Sequence, residues 1–374
     1  MTTTKPSSTL KILNDPAAEG ARIMTICNSC RYCEGYCAVF PAMERRLNFA
    51  EADINYLANL CHNCAECYYA CQYAPPHEFA VNVPQMFAEV RARSYKKYAM
   101  WMGGKVSPVA VIIALIIVGA MAFLPGLRLT DSAALPAANF YEIVPHRSMV
   151  TLFSVLAAFI FIAHLIGFLR FWRETGEGLA RFFTPSALLQ AARDVLTLKN
   201  LSSSGVGCTY PDEHHSNARR VFHHFMFYGF ALCFASTSVA ALYHFSGRIA
   251  PYPYLSLPVV LGTLGGIGLL IGPVGLYALK RKRDVQIVDQ TQDRSELTLL
   301  VLLVLTSATG LLLMMLRETA AMGALLRIHL AVMMILFLTL PYGKFVHGIY
   351  RTAALVRSAL ESARGQNQSG GQSH

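Results

Sequence analysis

Eight of the ten cysteines in this 374-residue chain fall between Cys27 and Cys71, in two runs of identical spacing. Cys27, Cys30, Cys33 and Cys37 form a Cys-x2-Cys-x2-Cys-x3-Cys string, and Cys61, Cys64, Cys67 and Cys71 repeat it. Two-residue gaps bring three thiolates to one side of a short loop, which is what a cubane iron–sulfur cluster needs, and the fourth thiolate comes from elsewhere. In two-cluster ferredoxins the last cysteine of each run serves the other cluster. The spacing therefore predicts one [4Fe-4S] cluster on Cys27, Cys30, Cys33 and Cys71 and a second on Cys61, Cys64, Cys67 and Cys37. In one respect the runs depart from the bacterial pattern: Ala38 and Gln72, not proline, follow the final cysteines, with Pro41 and Pro75 slightly later. Zinc gains nothing from the third Cys-x2-Cys step, and disulfides are rare in a reducing compartment. His62 and His77, which border the second run, read as ordinary surface histidines. Residues 49–60, with Ile54, Leu57 and Leu60 at helical spacing, read as core packing.

A second set of residues able to do chemistry is histidine inside apolar sequence. An ionisable side chain within a membrane span is costly and marks a functional site by default. Such residues are His164, His223, His224, His244, His329 and His347. His329 and His347 lie 18 residues apart, so on one continuous helix they share a face about 27 Å apart along the axis. His223 lies close to the face of His244, whereas His224 falls nearly opposite. Matching depths on two antiparallel helices predict two stacked pairs, His223 with His347 and His244 with His329, as axial ligands of b-type haem. Bis-histidine iron has no open position for a substrate and suits electron transfer. His164 and His224 are alternative ligands, and one haem in place of two is the alternative count. No Cys-x-x-Cys-His motif is present, so the haem is not covalently attached.

These side chains need elements to hold them. The composition, 54% hydrophobic and 14% charged, argues against an ordinary soluble enzyme. Residues 1–105 hold the clustered cysteines and no spanning run, and they read as a soluble iron–sulfur domain. Met1 to Gly20 lacks the pattern of a secretory signal. Six apolar segments follow, at residues 106–126, 148–169, 221–245, 255–279, 297–316 and 325–346, each about the 20 residues a membrane helix requires. The expected fold is all-α: a helical two-cluster ferredoxin-like domain (1–105), a six-helix membrane bundle (106–346) and a cytoplasmic tail (347–374).

The formal charge of +10 records orientation. Twenty basic residues flank one face of the bundle, among them Arg91, Arg93, Lys96, Lys97, Lys105, the run Lys280 to Arg283, and Arg351, Arg357 and Arg364. Only Arg128, Arg147, Arg248, Arg317 and Arg327 flank the other. Positive residues stay inside, which places both termini and the cysteine domain in the cytoplasm of a bacterium, beneath its inner membrane. The run Lys280 to Arg283 reads as an anchor to anionic headgroups. No recognition fold accompanies it, so nucleic acid is not the partner. Cys208 belongs to a cytoplasmic loop with His214 and His215, and Cys233 reads as a small buried hydrophobe.

The stretch from Cys61 through Cys64, Cys67 and Cys71 to Phe79, followed by Val83-Pro84, Arg219-Arg-Val-Phe-His-His224 and Tyr243-His244, resembles the tricarballylate utilization protein B family, also called citrate utilization protein B. The resemblance covers both halves of the chain. It implies a protein that takes electrons from an FAD-dependent tricarballylate dehydrogenase-like flavoprotein and reoxidises it, with iron–sulfur clusters and haem as relay and a membrane quinone as acceptor. The membrane half is similar in style to the di-haem gamma subunit of respiratory nitrate reductases. Two other classes compete. A membrane-anchored redox sensor needs no stacked histidine pairs, and a tricarboxylate transporter needs more fixed cations in its spans than are present.

Overall fold

The structure is a computed structural model that describes residues 13–99, 140–201, 214–248 and 250–370. It is all-helical, with no β-strand among the described residues. The cysteine region contains α1 (Pro16–Cys30), α2 (Val39–Met43), α3 (Glu51–Leu60), α4 (Glu66–Tyr69) and α5 (Val83–Tyr98). Asp15 caps α1, accepting from the Ala18 N–H at 3.0 Å ahead of Pro16. A side-chain oxygen before the first turn satisfies an amide that has no helical partner, and proline in that turn loses no hydrogen bond. Asn82 and Pro84 start α5 in the same way.

Five helices are long and apolar enough to cross a membrane: α6 (His146–Glu174), α8 (Ala218–Phe245), α9 (Leu257–Arg281), α10 (Gln290–Met315) and α11 (Met322–Thr339). The segment expected at 106–126 lies outside the described residues, as do Cys208 and most of its loop. The short helix α7 (Pro185–Leu196) connects α6 to α8, and α12 (His347–Gly370) closes the chain. Phe161 and Phe234 are 68% and 71% exposed, an arrangement tenable against lipid chains and not against water.

Helices α8 and α9 touch backbone to backbone. A methyl group on Gly272 would come within 2.5 Å of the Met226 nitrogen, and one on Gly265 within 2.7 Å of the Cys233 sulfur. Small residues permit this approach where apolar side chains gain nothing by leaving lipid for one another. Pro273 lies inside α9.

The sixth apolar segment is not one helix to Val346. It stops at Thr339, turns through residues 340–343 and a 3-10 turn at Lys344–Val346, and restarts as α12 at His347. Pro341 has no N–H and its ring collides with the carbonyl four residues earlier, so α11 ends there. His329 and His347 therefore sit on different helices, and their shared face does not exist.

Residues 347–370 are a helix built into the core of the cysteine region. Ala353, Ala354, Val356 and Leu360 of α12 pack with Ile23 and Met24 of α1, Ile54 and Leu57 of α3, Phe87 of α5, and Phe171 and Trp172 at the end of α6. Each large apolar side chain so buried contributes about 1.5–3 kcal/mol. The core of the N-terminal region is extended by α12 and the end of α6. Arg46 locks the joint, donating to Asp53 at 2.7 Å and to Glu361 of α12 at 2.5 Å. Arg46 and Arg357 both lie over the buried Tyr56 ring, at 4.9 and 4.2 Å, within cation–π range.

Candidate redox site

The two cysteine runs sit on matching local structure. Cys27 and Cys30 occupy the last turn of α1, and Arg31 then adopts φ 55°, its N–H bonding the Cys27 carbonyl. In the second run Cys61 follows α3, and Asn63 and Ala65 take φ 56° and 65°. Left-handed conformations at residues other than glycine cost about 1–2 kcal/mol each. They reverse the chain within two residues, so successive cysteines face inward rather than spiralling along a helix.

Cys27, Cys30, Cys33 and Cys71 line one cavity of about 260 Å³ with Tyr32, Phe40, Gln72 and Tyr73, and Cys67 of the second group reaches its wall as well. Burial, followed by the neighbouring Cys71 and Cys30 sulfurs, pushes the Cys33 thiol up to about 12. Cys27 is raised by burial and by Cys71, Cys33 and Cys30. In the second group Cys37 is raised by burial and then by Cys64 and Cys61, while Cys67 faces Cys64, Cys61 and Cys37. The final cysteine of each run thus lies among the first three of the other. Among the described residues no three histidine, cysteine or acidic side chains meet as closely as a single metal ion demands. The cysteine-lined cavity fits a cluster: it has space for an inorganic core, and burial and crowding make thiolates costly there unless iron compensates their charge.

The second run is the more buried. Cys61 and Cys64 are each 7% exposed. The Asn63 N–H lies 3.4 Å from the Cys61 sulfur. The Cys61 carbonyl accepts from Arg351 at 2.7 Å and from Arg91 at 3.4 Å, and the Asn63 carbonyl accepts from Arg219 at 2.6 Å. His62, expected at the surface, is buried between these groups, with its Nδ1 2.7 Å from the Leu60 carbonyl. Burial and then the Arg351 charge hold its imidazole well below the usual histidine range. A histidine between Cys61 and Asn63, past the end of α3, carries no helical periodicity to signal its burial. The Arg219/His223 and His347/Arg351 pairs, each four residues apart on a helix, are the signal by which this environment was legible.

His223 of α8 and His347 of α12 come together, with ring centroids 6.3 Å apart and planes at 69°. Two metal–imidazole bonds of about 2 Å, extended by about 1 Å to each ring centre, set an axial pair about 6 Å apart. The His347 Nδ1 lies 2.5 Å from the Lys344 carbonyl, a contact that would fix the tautomer and leave Nε2 available to a metal. His223 Nδ1 is buried without a hydrogen-bond partner. Two half-buried imidazoles at this separation, one held by its outer nitrogen and one with a buried Nδ1 that lacks a partner, fit bis-histidine ligation.

The other histidines go elsewhere. His224 turns to Tyr228, 5.8 Å between centroids. His164 lies 5.9 Å from the Phe345 ring, and its Nε2 is buried without a partner. His244 stacks on His146 at 3.7 Å, beside Tyr141, while His329 Nδ1 meets the Thr309 hydroxyl at 3.0 Å. His244 and His329 are not in contact. His146 begins α6 two residues before the apolar segment, which is why hydropathy alone passes over it. Of the basic run after α9, Lys280 and Arg283 pair with Asp293 and Glu296 of α10, and Arg281 and Lys282 face outward.

Fold and site together define an all-helical protein with membrane-crossing helices and a ferredoxin-like iron–sulfur domain. Residues 20–97 match the family described as the citrate utilization protein B Fer4-like domain, and residues 105–368 match citrate utilization protein B. The Citrate utilization protein B of Escherichia coli is 49% identical over 364 residues, 95% of each chain. The chain belongs to the citrate utilization protein B family. No solved structure matches it.

Proposed function

We propose that this chain is a membrane electron-transfer protein that reoxidises an FAD-dependent dehydrogenase of the tricarballylate dehydrogenase type and delivers the electrons to the quinone pool. Two [4Fe-4S] clusters and haem b supply one-electron carriers, on Cys27, Cys30, Cys33 and Cys71, on Cys61, Cys64, Cys67 and Cys37, and on His223 and His347. Residues 1–105 receive electrons on the cytoplasmic side of a bacterial inner membrane, and residues 106–346 span it with both termini inside. The name of the E. coli relative supports a setting in organic-acid utilisation. One observation carries the reading: the Cys61–Asn63 backbone is hydrogen-bonded to arginines on the two helices that present His223 and His347. Such a joint holds the cysteine loop beside the histidine pair, the proximity that electron exchange between them requires. A second haem on His244 and His329 has no matching support, because these residues have other partners.

The test is iron, haem and optical analysis of the detergent-purified protein. About eight non-haem irons per chain are expected, with b-type bands on reduction. His347→Ala abolishes those bands and keeps the non-haem iron, whereas His244→Ala keeps both. Reduced protein with intact clusters and no b-type bands would sink the haem assignment.

A further inference from the structure

We infer that Arg219 and Arg351 form a two-armed clasp that holds the Cys61–Asn63 loop against His223 and His347, coupling the second cysteine run, and not the first, to the membrane histidines. The inference rests on the redox reading above and adds its order and its positioning residues. Each arm is built alike. Arg219 precedes His223 by four residues on α8, and Arg351 follows His347 by four on α12. Side chains four apart on a helix lie one above the other on the same face, so each histidine has an arginine stacked toward the cytoplasmic domain.

Both arms end on one tripeptide. Arg219 donates to the Asn63 carbonyl at 2.6 Å, and Arg351 donates to the Cys61 carbonyl at 2.7 Å. The residue between, His62, is buried with its ring tied back to Leu60. Asn63 itself is left-handed, so its carbonyl and that of Cys61 point out of the turn, where the arms reach them. A guanidinium presents several donors in a fixed plane and holds such a loop more rigidly than an ammonium.

The charge of Arg351 is informative. Its side-chain partners are the Asn59 and Cys61 carbonyls, and no carboxylate among the described residues pairs with it. A cation withdrawn from water needs a compensating anion. A thiolate-ligated cluster at Cys61 is such an anion, and hydrogen bonding and charge beside a cluster tune its potential. Nothing comparable serves the first run, where Arg31 is exposed and donates to its own turn at the Asn28 carbonyl.

The experiment compares wild type with Arg351→Gln, Arg351→Lys and Arg219→Gln in the full-length membrane protein, using EPR-monitored redox titration and stopped-flow haem reduction. Arg351→Gln lowers the potential of one cluster and leaves the other unchanged. Haem reduction slows about tenfold, the scale of one lost charge-assisted hydrogen bond. Arg351→Lys keeps the charge, holds the cluster potential near wild type and restores part of the rate, a rescue that a purely structural role does not produce. Arg219→Gln, on the opposite arm, shifts the same cluster. Should Arg351→Gln lose its iron, Arg219→Gln and Arg351→Lys carry the decision by the same criteria. Loaded variants in which both potentials and the haem reduction rate stay at wild-type values overturn the clasp. Absence of b-type bands in the wild type overturns instead the function on which it rests.

Discussion

The first and second cysteine runs have identical spacing and the same left-handed reversal after their early cysteines, yet the protein treats them differently. Cys27, Cys30, Cys33 and Cys71 border a cavity with Tyr32, Gln72 and Tyr73 around it, and every one of these thiols is partly exposed. Cys61 and Cys64 are buried, with Arg91, Arg219 and Arg351 around the loop between them. Equal motifs thus differ at their first two cysteines, partly exposed in one run and buried in the other, while the last two of each run are alike half-buried. The difference arises from neighbours contributed by α5, α8 and α12, more than 200 residues away in the case of α12. The lesson concerns duplication: spacing specifies a cluster-forming loop, whereas the partner surface specifies whether that loop faces outward or into the molecule.

The contrast is most sharply broken by removing one thiol from each run. Cys64→Ser and Cys30→Ser should each lower non-haem iron from about eight to about four per chain. Cys64→Ser should also destabilise the fold more, because its loop is an integral contact between the cysteine region and the long apolar helices. Iron analysis with thermal unfolding checks both, and equal losses of stability for the two variants contradict the contrast.

The joint that brings α12 to the second run is the next target. Glu361→Ala removes a half-buried carboxylate and leaves Arg46 and Arg357 with Asp53 alone, a loss of about 2 kcal/mol for a hydrogen bond between charged groups. The expected result is a lower unfolding temperature and faster amide exchange along α12 and the Cys61–Asn63 loop, with the loop around Cys33 little changed. Uniform exchange across both loops is the contrary outcome.

The smallest effect is at the far end of α12. Arg364 donates to Glu177 at 2.7 Å, and this hydrogen bond holds the Glu177 carboxyl below its ordinary value of 4.5. A carboxyl depressed in the folded state stabilises it fully above the unfolded value, and the contribution is lost as pH falls through the folded one. Below about pH 4 the last turns of α12 should exchange faster, at a cost under about 1 kcal/mol for so exposed a pair. Glu177→Gln should remove the pH dependence, which amide exchange measured across that range will reveal.

Legibility in the sequence followed the range of the interaction. The eight cysteines, α3 and four of the membrane helices are written in local spacing and in apolar runs, and the structure has them close to where those patterns put them. The end of α11 was also written locally, in Pro341 and Gly343, but a mean over an apolar run conceals a break that one imino acid imposes. His62 was misread for the opposite reason. Nothing in the polar stretch around it signals that α8 and α12 will cover it.

The sequence by itself determined the chemistry available: two sets of thiols at cluster spacing, histidines in apolar helices, and basic residues segregated to one face. These depend on periodicity and composition, which act over a few residues. Only the tertiary structure decided the company each group keeps. It put Cys37 among the thiols of the second run, His347 opposite His223, His244 on His146, and two arginines on one tripeptide. Such pairings join positions up to 290 residues apart. They form where the end of α6 and α12 pack into one core with the cysteine region, a long-range contact that no local pattern records.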